Sequence, residues 1–340
     1  MLCKRPLVNP YADVRPGGYA WWYFDAVSDD GARALTAIFF IGSVFSPDYA
    51  ARIRRGERPR AEEHLGVNLA LYERGKKRAW VMSEHGASAL GGVGDGGPRI
   101  GDSSIEPVGS GLGPGGLRVT IRERSAPFFV SIAGIGARVE GTIDVEPLAS
   151  PLEPVELHAE NGVRHLWHVL MRSARVRVRF SRPDYRFDGV GYHDINAGDG
   201  RLERAFRSWS WARFHDAQGK EARTTIVYAT HERSGSARAW VVDARDDEHA
   251  AARPAALLPE GERRRAPWGL WVPRWFAVDD EGRTLRCTPT RILEAAPFYT
   301  RYAARLNDVT RSTGVGEFLD LDRFSDRGIQ FLLRFKMRHL

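Results

Sequence analysis

Apolar and polar residues alternate with a period of two through much of this chain, in short runs bounded by Gly, Pro, Asp or Asn. That is the pattern of antiparallel strands with one buried face. The clearest run is Arg175-Val176-Arg177-Val178-Arg179-Phe180, where Val176, Val178 and Phe180 share one face and the arginines the other. Those arginines are then a solvated sheet face. The same reading predicts strands over Leu65–Tyr72, Arg78–Ser83, Leu117–Arg122, Val139–Val145, Thr224–Thr230 and Ala239–Asp243, all of ordinary strand length. Ala34–Phe45 is nearly apolar but contains Thr36, Gly42 and Ser43, and at about 12 residues it suits a buried strand better than a membrane span.

Helical periodicity is scarce. Pro47–Arg55 and Tyr299–Leu306 are predicted as short helices, neither long enough to organise a domain, so a dinucleotide-binding α/β fold is disfavoured. Gly91–Gly97 and Gly109–Gly116 read as surface loops, and the polar stretch Arg245–Arg265 as an insertion loop. A chain of 340 residues exceeds what one core usually organises. The break at Ser181-Arg182-Pro183-Asp184 divides it into expected domains 1–182 and 183–340.

Composition narrows the class without naming a partner. With 43% apolar and 27% charged residues the chain is globular. The net charge of +7 rests on 50 basic residues, nearly all arginine, a bias that genome composition also produces. The runs Arg52-Arg54-Arg55 and Arg263-Arg264-Arg265 lack interleaved aromatics, so no nucleic-acid partner is expected. Cys3 and Cys287 offer no metal or disulfide spacing and read as free thiols. Lys4 and Arg5 precede no apolar signal core, so the expected location is the cytoplasm.

The densest reactive run is Gly191-Tyr192-His193-Asp194-Ile195-Asn196-Ala197-Gly198. In an extended chain Tyr192 and Asp194 point to one side and His193 to the other, so a phenol and a carboxylate can address one cavity. Asp194 and Asn196 would equally serve to cap a turn. In Arg164-His165-Leu166-Trp167-His168, His165 and Trp167 share a face, which fits a site or a satisfied core histidine. His165 and His168, three apart, face opposite ways in a strand, and no metal-binding motif occurs, so no metal is expected. Trp21 and Trp22, followed by Tyr23, cannot both face one core. With Trp209 and Trp211 they suggest a seam able to hold an extended apolar ligand. Gly109-Ser110-Gly111 has the wrong spacing for a serine nucleophile elbow.

The runs Gly18–Ala26, His165-Leu166-Trp167, Gly189–Asp194 and Trp209-Ser210-Trp211 together resemble the carotenoid 1,2-hydratases, also called hydroxyneurosporene synthases. They sit among two-domain lipocalin-like proteins that also include cofactor-free pericyclases. The resemblance implies an all-β protein of two lipocalin-like antiparallel β-barrel or sandwich domains, with the site near their junction. It implies a catalytic set of Asp194, His165, Tyr192 and Trp167, and no cofactor. Trp21, Trp22, Tyr23, Trp209, Trp211 and Asn196 are the expected substrate-binding residues. The expected partner is an apolar isoprenoid, and its solubility in lipid adds peripheral contact with the inner membrane as an expectation.

The implied reaction is acid-catalysed hydration of an isolated alkene, with Asp194 as proton donor, Trp167 steadying the cation through its face, and His165 with Tyr192 holding water. An exposed Asp is only ~0.1% protonated at pH 7, so such a site must raise its pKa by about 3 units, or ~4 kcal/mol. A pericyclase or cyclase of the same fold, and a non-enzymatic isoprenoid carrier, are the alternative readings.

Overall fold

A computed structural model describes residues 13–109, 115–125, 136–160, 162–216, 222–246, 248–307, 313–334 and 338–339. Its first sheet is built from β1 (Tyr19–Ser28), β2 (Arg33–Ile41), β3 (Leu65–Glu73), β4 (Lys76–His85), β5 (Leu90–Val93), β6 (Pro98–Ile100), β7 (Ser103–Val108), β8 (Gly116–Ser125), β9 (Ala137–Pro147), β10 (Val155–Glu160), β11 (Val163–Arg182) and β12 (Asp184–Gly198). Neighbours run β4-β3-β2-β1-β12-β11-β9-β8-β7-β6-β5, with β10 on β11 and Arg338–His339 beside β4. The sheet curls over itself, so that residues of β1–β4, β8, β9, β11 and β12 share one apolar core around Trp22, Phe39, Val119, Ile143 and Val178.

The second sheet is a closed antiparallel barrel of β13 (Phe206–Asp216), β14 (Arg223–Glu232), β15 (Ala237–Arg245), β16 (Arg253–Leu257), β19 (Phe276–Asp280), β20 (Arg283–Ala295), β21 (Tyr299–Leu306) and β22 (Thr313–Asp320). A separate ribbon of β17 (Arg263–Arg265) and β18 (Trp271–Pro273) lies alongside. The barrel interior is filled by Phe214, Val227, Val241, Phe276, Cys287, Tyr302 and Phe318. Closure leaves the barrel no edge to protect.

The seam lies between the outer faces of the two sheets. There Tyr19, Trp21, Tyr23, Trp167 and Tyr192 of the first sheet pack on Trp209, Trp211, Ile226, Tyr228 and Leu319 of the barrel. β1 is therefore covered on both faces, which is why Ala20-Trp21-Trp22-Tyr23-Phe24 shows no polar alternation. β11 has both regimes: its first half meets the barrel, whereas Arg175, Arg177 and Arg179 reach solvent opposite buried Val176, Val178 and Phe180. Arg172, fully buried on β11, donates to the carbonyls of Ser150 (3.2 Å), Arg245 (2.9 Å), Asp246 (3.3 Å) and Glu248, pinning a barrel loop to the first sheet.

Most of the predicted strands lie inside observed ones, and Pro47–Arg54 is a helix, α1. Its Ser46 cap accepts from the Tyr49 amide at 3.1 Å, Pro47 opens it, and Asp48 and Arg52 suit its dipole. Tyr299–Leu306 is strand β21, not a helix: pairing on both sides with β20 and β22 overrides its weak helical spacing. Arg245–Arg265 is not a plain loop, because β16 within it is a stave of the barrel. Gly91–Gly97 includes part of β5. Residues 110–114, the middle of the Gly109–Gly116 stretch, lie outside the described residues, as do Cys3, Lys4 and Arg5.

The expected break at Ser181–Asp184 is a hairpin joining β11 to β12 within one sheet, with Ser181 paired to Asp184. Passage to the barrel comes after Gly198, through the short helix α2 (Leu202–Ala205). Two further helices, α3 (Leu321–Phe324) and α4 (Arg327–Arg334), follow the barrel. No helix among the described residues is long and apolar enough to cross a membrane.

Candidate active site

Strand register assembles the site on one face. Tyr19, Trp21, Tyr23 and Asp25 of β1 stand opposite Gly198, Asn196, Asp194 and Tyr192 of β12, and Gly198 and Asn196 stand opposite His165 and Trp167 of β11. Period-two geometry turns all of these side chains toward the barrel. Gly198 is needed for this, because a Cβ there would run into the Tyr19 hydroxyl. That hydroxyl bonds His165 Nδ1 at 2.7 Å.

Asp194 sits at the centre, buried. Its Oδ2 accepts from Tyr192 Oη at 2.6 Å and Trp167 Nε1 at 2.9 Å, and its Oδ1 from Asn196 Nδ2 at 3.0 Å. Burial pushes its pKa up to about 7; the Tyr192 and Trp167 hydrogen bonds pull it down, and the charges of Glu317 and Asp25 push the same way as burial. His165 is fully buried, which holds its pKa down to about 3 and keeps the imidazole neutral. Its ring stacks on Trp209 and packs against Trp21 and Phe206.

Beside this cluster is an apolar cavity of about 130 Å3 between the outer face of β1–β4 and the barrel. Trp21, Tyr23, Ile38, Phe40, Trp80 and Trp209 line it, with Glu317 and Glu294 as its acidic walls. Asp194, Tyr192, Trp167 and His165 do not line it. Tyr23 belongs to both regions: it lines the cavity, and its ring meets Tyr192 edge-on at 6.1 Å.

Of the residues singled out in the sequence, Asp194, Tyr192, Trp167, His165, Asn196, Trp21, Tyr23, Trp209 and Trp211 meet in this seam. Trp22 does not: one position from Trp21, it points to the opposite face and fills the core of the first sheet. Trp167 presents its N–H edge to Asp194 and forms a T-shaped pair with Tyr228, ring centroids 5.3 Å apart. Of the two residues expected to hold water, Tyr192 donates to Asp194, and His165 Nδ1 bonds the Tyr19 hydroxyl while its Nε2 has no partner among the described residues.

Sequence reading missed a buried charge network. Asp25 pairs with Arg213, whose Nε lies 3.4 Å from Oδ2. Arg301 donates to Tyr23 Oη at 2.5 Å and to Glu317, and Tyr23 Oη donates to Glu317 Oε1 at 2.9 Å. One signal was present: Glu317 stands between Val315 and Leu319 at period two, an acid on an apolar face. Among the described residues no three His, Cys, Asp or Glu side chains are grouped to hold a metal ion.

An all-β, two-part lipocalin-like architecture with a raised, buried carboxyl at its aromatic seam defines the class. Residues 37–339 match the family Carotenoid hydratase CrtC. The chain is 36% identical over 337 residues to the acyclic carotenoid 1,2-hydratase of Thiocapsa roseopersicina, covering 98% of this chain and 76% of that protein. It is 32% identical to the same enzyme of Rubrivivax gelatinosus, covering 95% and 74%. In fold it is similar to a solved structure from Nitrosomonas europaea described as an AttH, with a TM-score of 0.60 at 14% identity over 94% of this chain and 98% of that one. The chain belongs to the carotenoid hydratase family and is an enzyme of the hydro-lyase class.

Proposed function

We propose that the protein adds water across a terminal isoprenoid C=C bond of an acyclic carotenoid or a shorter terpenoid, by acid catalysis and without a cofactor. The observation that carries this reading is the Asp194 carboxyl, buried, bonded through both oxygens and raised to about 7. Such a group is about half protonated at neutral pH, against ~0.1% for an exposed Asp.

The chemistry follows from that proton. The alkene π pair takes it to form a C–H bond, the O–H pair stays on Asp194, and a tertiary cation remains. Water closes a C–O bond to that carbon and gives up its extra proton. Tyr192, Trp167 and Asn196 orient the acid. The faces that can steady the cation are those walling the cavity, Trp21, Tyr23 and Trp209, at ~2 kcal/mol when desolvated. Neutral His165 holds Trp21 and Trp209 in place through its ring contacts.

A cavity of about 130 Å3 is smaller than the ~300–1,000 Å3 of pockets that enclose a whole small-molecule ligand. It suits the end of a chain whose remainder lies outside. In this reading the chain end passes beside the Tyr23 ring to meet Asp194. A lipid-soluble substrate also calls for peripheral contact with a bilayer. Leu333 lines the cavity and Leu332 beside it is half exposed, which supports an approach past α4.

The test is turnover of an acyclic carotenoid in detergent micelles in water enriched in oxygen-18. Hydration gives a product heavier by one labelled water. An isomer of unchanged mass would instead indicate a cyclase, and binding without product a carrier.

A further inference from the structure

We propose that Glu317 is a second catalytic residue of this site, the base that holds the attacking water and takes its proton. The inference rests on the hydration reading above and deepens it. Hydration needs a proton donor at one carbon and a proton acceptor beside the other. Asp194 offers the first; Tyr192, Trp167 and Asn196 donate to it, and the nearby acceptors without a partner among the described residues, Asn196 Oδ1 and His165 Nε2, belong to side chains that do not line the cavity.

Glu317 meets the geometric requirements. It lines the cavity, whereas Asp194 does not and stands opposite Tyr23, which does, so the two carboxyls occupy different places relative to the cavity. Register places Glu317 between Trp211 of β13 and Arg301 of β21, on the barrel face turned toward β1. Arg301 and the Tyr23 hydroxyl both donate to its Oε1, and no bond to Oε2 is among those of the described residues, so that oxygen can accept from a water. Arg301 is fully buried, and its Nε and Nη2 have no acceptor among the described residues. Two buried donors without partners, on the guanidinium that pairs with Glu317, are groups that a water bound there would satisfy.

The proton inventory closes. Asp194 loses one proton to carbon, the oxonium formed by water attack gives one to Glu317, and exchange with solvent restores both. An alternative reading makes Arg301, Glu317 and Tyr23 only a clamp between barrel and sheet. A clamp would affect every step alike; a base acts only after the cation has formed.

The experiment therefore compares wild type, Glu317→Gln and Asp194→Asn with an acyclic carotenoid in heavy water, following deuterium in recovered substrate and the yield of alcohol. With Glu317→Gln, reversible protonation by Asp194 should continue and place deuterium in the substrate, while hydration falls at least 100-fold. Asp194→Asn should lose both. Hydration by Glu317→Gln within a few-fold of wild type overturns the proposal. So does equal loss of exchange and hydration in a variant with the wild-type circular dichroism spectrum and melting curve. If Glu317→Gln does not fold, the double variant Glu317→Gln with Arg301→Met, which removes the base without leaving the buried guanidinium unpaired, is read in the same way. Failure of the hydration reading itself looks different: wild type would then form no alcohol.

Discussion

Tyr23 stands directly opposite Asp194 across β1 and β12, and only the first of the pair lines the cavity. The ring of Tyr23 thus screens the acid from the apolar space beside it. Burial is the largest influence raising the Asp194 pKa, so removing that ring should admit water and lower it. We predict that Tyr23→Ala moves the basic limb of the pH–activity profile down by about one unit or more from its wild-type position near 7. An unmoved limb would mean that some other part of the seam keeps the carboxyl dry.

The same burial has a cost in stability. The Asp194 pKa is raised from 3.8 to about 7 in the folded protein, so its contribution is fully present below pH 3.8 and is lost as pH rises through 7. His165 and His193, lowered from 6.5 to about 3 and about 4, act in the opposite sense. Their contribution is complete above pH 6.5 and is lost as pH falls toward 3. Asp194→Asn removes only the first effect. It should be more stable than wild type at pH 8, by up to ~4 kcal/mol, with the difference shrinking toward pH 4. Thermal melting across pH 4–8 reads this directly; a difference independent of pH would contradict it.

Asp25 and Arg213 form an ion pair in which both members are almost wholly buried. Removing one partner leaves the other charge without compensation, which costs about 3–5 kcal/mol. Arg213→Met should therefore destabilise the fold by that order in urea denaturation. The double change Asp25→Asn with Arg213→Met should recover much of the loss. A double variant no more stable than Arg213→Met alone would show that the pair is not the source.

Much of this architecture is legible from side-chain alternation, because a strand with one wet face announces its period. Val176, Val178 and Phe180 against Arg175, Arg177 and Arg179 show it, and they lie where β11 has left the barrel. Where both faces are covered the signal vanishes. Trp21 and Trp22 read as a pair, yet one faces the seam and the other the core, and only register separates them. Tyr299–Leu306 failed as a helix for a related reason: Tyr302 and Ala304 fill the barrel while Arg301 faces the seam, a division that distant strands impose. The Asp194 cluster was legible since its donors lie two residues away or on the adjoining strand. Glu317 left one local sign, an acid between Val315 and Leu319, but its meeting with Tyr23, and that of Arg301, depends on how the barrel docks, and docking leaves little trace in local pattern.

The account depends most on Asp194 as the proton source. Its sharpest test is turnover of an acyclic carotenoid by Asp194→Asn in water enriched in oxygen-18, beside wild type at the same pH. The account predicts loss of labelled alcohol by at least 1,000-fold with quenching of cavity tryptophan fluorescence by the polyene retained, equivalent to ~4 kcal/mol of lost transition-state stabilisation. Labelled alcohol formed by Asp194→Asn at a rate near that of wild type would contradict it.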